Sequence, residues 1–469
     1  METRTFYDRK QEIKLLKEEF ANLQSGKMFV VYGRRRVGKT ELIRQFIKSI
    51  PENKMYFYVD LVEKQGILDS ISKTVQEQLG ETRKFADFND FLDFIALKSE
   101  NSFVLVIDEF QRFLEVSPQF ITQLQNHWDQ KLKNKKIMLI LVGSSIGMIQ
   151  KITNSKAGAL YGGATRIKIS PFKYADFRLM FKELSEEERI ITYAVFGGTP
   201  YYLEKVKKTE GNIHKKIFEL LLKKGAELFE EPKNLIEYEN VRIHAKYNSI
   251  LQAASAGKEN VKEIGDFTGI DTNTLPAYIK RLDELLELLG RKDPVLGQER
   301  LGRYGLKDNF FNFWYKFIFP NQTALNLGNI KIAEEDIKEN LNAHTGRVFE
   351  EICKELLIGY INKGLNGHII DFENIGSWWN RTGEEIDIVG YNRKTRRILV
   401  GEVKWTNDPA DISVVDDLMR KSKFINFTGE YTFLFISKNG FTDKASERIT
   451  EINAIHLDLK EIGRLFEEI

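Results

Sequence analysis

The 469-residue chain predicts an α/β protein whose first third folds around a mostly parallel sheet. Three observations carry that expectation. Strand-like and helix-like patterns alternate from residue 28 to about 170, the order that builds a parallel sheet covered by helices. Phe103-Val104-Leu105-Val106-Ile107 is an unbroken apolar run, as in a strand buried on both faces. Between a short apolar strand at 28–32 and a helix at 41–49 stands Gly33-Arg34-Arg35-Arg36-Val37-Gly38-Lys39-Thr40, with the G-x-x-x-x-G-K-T spacing of a phosphate-binding loop.

Each element follows in order. The glycines of the loop let the backbone turn tightly and aim N–H groups at phosphate oxygens, and the helix N-terminus adds its positive dipole end. Leu42, Ile43, Phe46 and Ile47 form the apolar face of that helix. Lys39 would reach the β- and γ-phosphates of ATP, and the Thr40 hydroxyl would hold Mg2+. Residues Gly33 to Thr40, with Glu41 opening the helix, are the candidate nucleotide contacts. A second strand is expected at 55–59. The third ends in Asp108-Glu109: Asp108 would bind Mg2+, mostly through water, and Glu109 would orient and deprotonate the attacking water. A fourth strand at 137–142 runs into Gly143-Ser144-Ser145, where Ser144 or Ser145 can sit between Glu109 and the γ-phosphate and sense hydrolysis. A fifth strand at 166–170 closes at Pro171-Phe172.

Composition sets the bounds. This length allows about three domains, and 42% hydrophobic with 29% charged residues is ordinary for a soluble globular chain. No apolar run approaches the roughly 18 residues of a membrane span, so no membrane partner is expected. The Met1-Glu2-Thr3-Arg4 start lacks a signal-peptide core, which makes a cytoplasmic location the expectation. The single cysteine, Cys353, excludes internal disulfides and cysteine-cluster zinc sites and falls in an apolar helix pattern that suits the core. A net charge of +2 neither supports nor excludes nucleic-acid binding. Lys205, Lys207, Lys208, Lys215, Lys216, Lys223 and Lys224 crowd one segment, and Arg393, Lys394, Arg396 and Arg397 another; each is either a solvated face or an anion-binding one.

The middle of the chain reads as helical. Helices at 174–184, 186–196, 201–206 and 213–227 suit a lid over 174–238. Helices at 247–254, 261–268 and 273–288, then a strand and wing at 289–306, make a winged helix-turn-helix pattern within 239–320. Asp271 or Thr272 can cap the third helix. Lys280 and Arg281 on that helix could meet DNA phosphates. Asp283, Glu284 and Glu287 oppose DNA there, which favours a structural or nucleotide-sensing role. The aromatic run at 308–315 suits buried packing, with stacking on bases as the alternative.

In the C-terminal part a helix at 341–360 carries Gly346, Phe349 and Glu350. Glu384-Glu385-Ile386-Asp387-Ile388-Val389 follows, then a turn, then Ile398-Leu399-Val400-Gly401-Glu402-Val403-Lys404-Trp405. Glu402 and Lys404, two apart on a strand, share a face, and Asp387 on the neighbouring strand can join them. Two carboxylates held together tolerate each other around a divalent cation, which polarises a phosphodiester; Lys404 would orient water or stabilise developing charge. Glu350 could complete the metal shell. The bland reading is a charged hairpin.

The order of these pieces resembles a family. Phe6-Tyr7-Asp8-Arg9 with Glu12 and Leu15, the loop from Gly33 to Thr40, Val106-Ile107-Asp108-Glu109-Phe110-Gln111, Leu141-Val142-Gly143-Ser144-Ser145, Leu160-Tyr161-Gly162, Ser170-Pro171-Phe172 and Gly197-Gly198-Thr199-Pro200-Tyr201-Tyr202-Leu203 are similar, in sequence, to the archaeal-type AAA+ ATPases, which sit close to the STAND signalling ATPases. The resemblance covers essentially the whole chain. It implies that Arg9 packs near the adenine and that Pro200, in a helical lid, lies near the base; by helix chemistry alone Pro200 is simply a helix start. The sequence departs from the family where many members carry an arginine after Leu-Tyr-Gly: here stands Gly163, and the nearest arginine is Arg166. Either Arg166 substitutes or hydrolysis is slow, and low basal ATP turnover is the expectation. The C-terminal pattern resembles the PD-(D/E)xK restriction-endonuclease fold, as found in the domain of unknown function that follows such ATPases, with Ile386 where a proline is usual. The expected architecture is an ATPase core at 1–173, a lid at 174–238, a winged helix at 239–320 and a nuclease-like domain at 321–469. The expected function is an ATP-gated, metal-dependent nuclease acting on DNA. The alternative is a regulator that binds DNA or a protein partner without cutting. Oligomeric state is not legible in the chain.

Overall fold

The computed structural model describes residues 9–50, 53–144, 147, 149, 163–238 and 244–469. They form two compact units, one of residues up to Pro171 with Glu284–Leu286, the other of the remainder from Phe172.

In the first unit β1 (Lys27–Tyr32), β2 (Lys54–Tyr58), β3 (Phe103–Asp108), β4 (Ile137–Gly143) and β5 (Ala164–Lys168) make one sheet in the order β2-β3-β4-β1-β5. All neighbours run parallel, so the C-terminal ends of β1, β3 and β4 lie side by side. The unbroken apolar runs are explained by two covered faces: β3 and β4 are buried at every position. Alternate side chains point to opposite faces. Leu105 and Ile107 join Met28, Val30 and the helix residues Ile67 and Leu124 on one face. Val104 and Val106 join Phe29, Val31, Leu42 and Phe46 on the other. The fifth strand is shifted toward the N-terminus relative to expectation, although Ile169 still donates its N–H to Tyr32 O at 2.7 Å.

The second unit begins with helices Tyr174–Met180, Glu186–Phe196, Pro200–Lys208, Ile213–Ile217 and Glu231–Tyr238. The helix expected over 174–184 stops at Met180, because Ser185 and Glu188 form a capping box that starts the next one. The helix expected over 213–227 is α-helical only to Ile217 and continues as a π-turn, Phe218–Leu222. Three consecutive residues of that turn, Leu220, Leu221 and Leu222, are buried. Helices His244–Ser255, Val261–Thr268 and Leu275–Glu284 follow, then an antiparallel hairpin of β6 (Leu289–Lys292) and β7 (Arg303–Leu306). The third helix is shorter than the expected 273–288. Asp271 accepts a hydrogen bond from Asn273 N at 2.8 Å, a local turn that delays the start, and Glu287 at φ 49° ends the run ahead of the hairpin. Phe310, Phe311, Phe313, Trp314 and Tyr315 are fully buried, so the aromatic run is core and not a stacking surface.

The helix Lys331–Gly359 starts ten residues earlier than the 341 expected from the sequence. After the two-residue strands β8 (Gly364–Leu365) and β9 (His368–Ile369) comes a mixed sheet: β10 (Asn374–Trp379), β11 (Glu385–Asn392), β12 (Arg397–Lys404), β13 (Glu430–Ser437) and β14 (Ile455–Asp458), in that order. The first three are antiparallel and the last three parallel. Helices Ile412–Ser422, Asp443–Glu451 and Leu459–Glu467 accompany it.

This C-terminal part is tied to the segment 174–196. The Glu355 carboxylate accepts from Tyr174 N at 3.1 Å and Ala175 N at 2.8 Å, capping a helix 180 residues away in sequence. His344 Nε2 meets Ala194 O at 3.0 Å, Arg178 donates to Gly463 O at 2.8 Å, and Lys438 pairs with Glu187 at 2.6 Å. Among the described residues no helix is long and apolar enough to cross a membrane. Cys353 is buried and free.

Candidate active site

The loop after β1 is shaped by two glycines. Gly33 has φ 154°, and a Cβ there would stand 2.1 Å from Ile169 O; no side chain fits. Gly38 has φ 94° and is the N-cap of the helix Lys39–Lys48, so no side chain closes that helix's first turn. A helix N-terminus of this kind favours an anion through its N–H groups and dipole. Lys39 is buried and donates to Gly33 O and Arg34 O at 2.8 and 2.7 Å, which holds its ammonium across the loop. Val37 packs in the core beneath. Arg36 is left-handed at φ 71°, and Arg34 is buried while Arg35 is partly exposed. Glu41 accepts from Gln45 along its own helix at 2.9 Å.

The sheet order brings the acids to this loop. Thr40 Oγ1 donates to Asp108 Oδ2 at 2.9 Å, and the Tyr56 hydroxyl donates to the same oxygen at 2.5 Å. Burial and the Asp108 charge push the Tyr56 phenol well up, so it stays a donor. Asp108 Oδ1 accepts from Glu109 N at 2.8 Å. Glu109 turns left-handed at φ 55°. Its Oε2 accepts from Ser144 Oγ at 3.0 Å and from Gln111 Nε2 at 2.6 Å, with Arg112 Nε 3.7 Å away. Thr40, Asp108, Glu109 and Ser144, expected from separate motifs, are therefore assembled. The cradle that only glycine fits, together with the Thr40 and Asp108 oxygens, suits a nucleotide phosphate chain and Mg2+.

The other expected residues lie as follows. Arg9 is buried, left-handed at φ 69°, and donates to Ser170 O, so it braces the end of β5. Arg166 lies in mid-strand, paired with Val30 two residues before the end of β1, and is exposed. Pro200 opens the helix Pro200–Lys208 at its first turn. Phe6, Tyr7, Asp8, Ser145 and residues 160–162 lie outside the described residues. The lysine cluster is partly neutralised, Lys205 by Glu227 at 2.5 Å and Lys223 by Glu219, and Lys207 donates to Met180 O. Sequence reasoning gave no role to Tyr56, Gln111 or Arg112. Gln111 stood in the quoted Asp108-Glu109-Phe110-Gln111 run; Tyr56 had no signal, since strand order is invisible in a sequence.

In the C-terminal sheet, Lys404 Nζ donates to Glu402 Oε1 at 2.7 Å, so the two do share a face. Glu402 is buried and its Oε2 meets no hydrogen-bond donor. Asp387 accepts from Val403 N at 2.8 Å. Burial and then the Glu402 charge raise the Asp387 carboxyl to about 6. Burial and then Asp387 raise Glu350 to about 8. Asp387 therefore lies within electrostatic reach of both Glu402 and Glu350 in a poorly solvated place. Among the described residues, however, no three His, Cys, Asp or Glu side chains gather at metal-binding spacing.

A parallel sheet with β1 inserted between β4 and β5, a phosphate loop after β1 and an acidic pair after β3 define a P-loop NTPase. Residues 6–206 match the family model described as an ATPase domain predominantly from Archaea. Residues 314–416 match one described as archaeal and bacterial proteins of unknown function. A Methanocaldococcus jannaschii relative, "Uncharacterized protein MJECL04", is 34% identical over 427 residues, 90% of this chain and 92% of that protein. The "Uncharacterized ATP-binding protein PYRAB09480" of Pyrococcus abyssi is 24% identical over 247 residues, 43% of this chain and 72% of the relative. Among solved structures, the Walker-type ATPase paby2304 of Pyrococcus abyssi is similar with a TM-score of 0.49 and 19% identity, covering 66% of this chain and 96% of that one. The chain belongs to this archaeal-type ATPase family, and its N-terminal part is an ATP-binding ATPase domain.

Proposed function

We propose that the protein is a slow ATPase whose nucleotide state controls a nuclease-like C-terminal domain acting on DNA. The observation that carries the ATPase half is the convergence of Thr40, Asp108, Glu109 and Ser144 at the ends of adjacent strands. In this reading Lys39 and the loop N–H groups bind the phosphates. Thr40 and Asp108 hold Mg2+, which supplies charge neutralisation on the phosphates. Glu109 takes the proton of the attacking water, and Ser144 reports on its position. Arg9 and Pro200 are assigned to the adenine side by family resemblance alone. With Arg166 in mid-strand and Gly163 where many members carry an arginine, a finger is expected to be missing or poorly placed, and a missing one costs about 10³- to 10⁵-fold in rate. Purified protein should turn over ATP more slowly than about 0.1 s⁻¹; rapid turnover would sink this part. Lys39→Ala should abolish ATP binding, and Glu109→Gln should keep binding and lose turnover.

For the C-terminal domain the supporting observation is the buried, unpartnered Glu402 Oε2 beside Asp387 and Lys404. Asp387 and Glu402 would hold a divalent cation between them, and Lys404 would orient water, while Glu350 would join only if its helix moved closer. The three helices followed by the β6–β7 hairpin fit a winged helix, here in a structural or nucleotide-sensing role. A second reading, a regulator that binds DNA or a partner without cutting, is favoured by the absence of a gathered metal-binding trio among the described residues. Plasmid and single-stranded DNA incubated with Mg2+ or Mn2+, with and without ATP, separates them. Cleavage lost in Glu402→Ala and altered in Lys39→Ala supports the gated nuclease. Intact ATP binding without cleavage supports the regulator.

A further inference from the structure

We infer that Gln111 is the positioning residue for Glu109; the inference rests on the reading of Glu109 as the water-activating base. Gln111 sits in the 3-10 turn Phe110–Arg112 directly after Glu109 and is 4% exposed. Its Nε2 donates to Glu109 Oε2 at 2.6 Å and to Ser144 Oγ at 3.2 Å, while Ser144 Oγ donates to that same carboxylate oxygen at 3.0 Å. The amide thus closes a three-membered ring of hydrogen bonds between the end of β3 and the end of β4. One Glu109 oxygen is held by two donors, which leaves the other, Oε1, to accept a proton.

Two further observations say that Gln111 is not there for packing. Its Oε1 is buried with no hydrogen-bond donor, a cost that a purely structural amide would not carry. A Cβ on Gly143 would stand 2.7 Å from that same Oε1 and 2.7 Å from Ile149 Cδ1, so both side chains use the space the glycine leaves. Gly143 is in β4, in register with Tyr32 at the end of β1, where a larger residue would otherwise improve the strand. Glu109 itself is left-handed at φ 55°, so its side chain is aimed by a backbone conformation that needs holding.

The test is steady-state ATP turnover and ATP affinity for wild type, Gln111→Met, Ser144→Ala, Glu109→Gln and the double change Gln111→Met/Glu109→Gln. Methionine keeps the volume and removes both donors. Gln111→Met should lower kcat about 10- to 100-fold, the scale of a misplaced catalytic group, with KM, ATP affinity and unfolding temperature close to wild type. In the Glu109→Gln background it should add nothing. Wild-type kcat in Gln111→Met, or a further loss on top of Glu109→Gln, would overturn the inference while leaving the ATPase reading intact. Equal turnover in wild type and Glu109→Gln would overturn both.

Discussion

The Tyr56 hydroxyl and the Thr40 hydroxyl share one oxygen of Asp108. Asp108 is 1% exposed, and a buried carboxylate needs donors. Tyr56→Phe removes one of them and is expected to lower stability by about 1–3 kcal/mol, read by urea unfolding, while ATP binding survives through Lys39 and the loop. An unchanged midpoint would mean that Asp108 is satisfied without the phenol. Residue by residue, the phosphate loop was legible because each position does local work: glycine for a φ no other residue adopts, lysine and threonine for reach. Tyr56 was not, because its role depends on β2 lying beside β3.

At the scale of elements, buried polar contacts link helices far apart in sequence. His344 lies on Lys331–Gly359 and meets Ala194 O on Glu186–Phe196, with Phe313 and Phe317 edge-on to its ring. Burial, partly opposed by that carbonyl contact, pushes the imidazole from 6.5 down to about 4. The unfolded chain then takes up the proton first. Stability is full above about pH 6.5 and falls as pH drops toward 4, by roughly 2–3 kcal/mol. His344→Gln should be less stable throughout yet show a flatter acid limb in unfolding measured from pH 7.5 to 4.5; equal slopes in variant and wild type would refute the assignment. Glu355→Ala should cost about 1–2 kcal/mol by uncapping Tyr174–Met180, and Glu355→Gln, which keeps an acceptor oxygen, should cost less.

At the scale of the whole molecule, the segment 174–196 is bonded to the C-terminal part through Glu355, His344, Gly463 and Lys438. Glu355 and His344 stand on the helix Lys331–Gly359, Gly463 on Leu459–Glu467 and Lys438 directly after β13, so the tie runs to elements that flank the C-terminal sheet. Removal of residues 321–469 is expected to strip hydrogen-exchange protection from 174–196; full protection in the shortened chain would argue against this tie. In the sequence, 174–196 reads as two amphipathic helices of a lid, and neither periodicity nor capping shows which partner buries them.

What the sequence by itself determined is local or periodic. The five strands of the first sheet, the phosphate loop, the acidic pair after β3 and the Glu402–Lys404 face all follow from alternation, turn chemistry and short spacing. The ends of several helices did not follow, since a π-turn at Phe218–Leu222 and an Asx turn at Asp271 answer to burial and local hydrogen bonds. Only the tertiary structure decided strand order, and with it that Ser144 and Gln111 close on Glu109 while Arg166 stops short in mid-strand. It also decided that a carboxylate at 355 caps a helix at 174. Those choices are made by long-range pairing and burial, which reward contacts between residues whose separation along the chain carries no signal of their meeting.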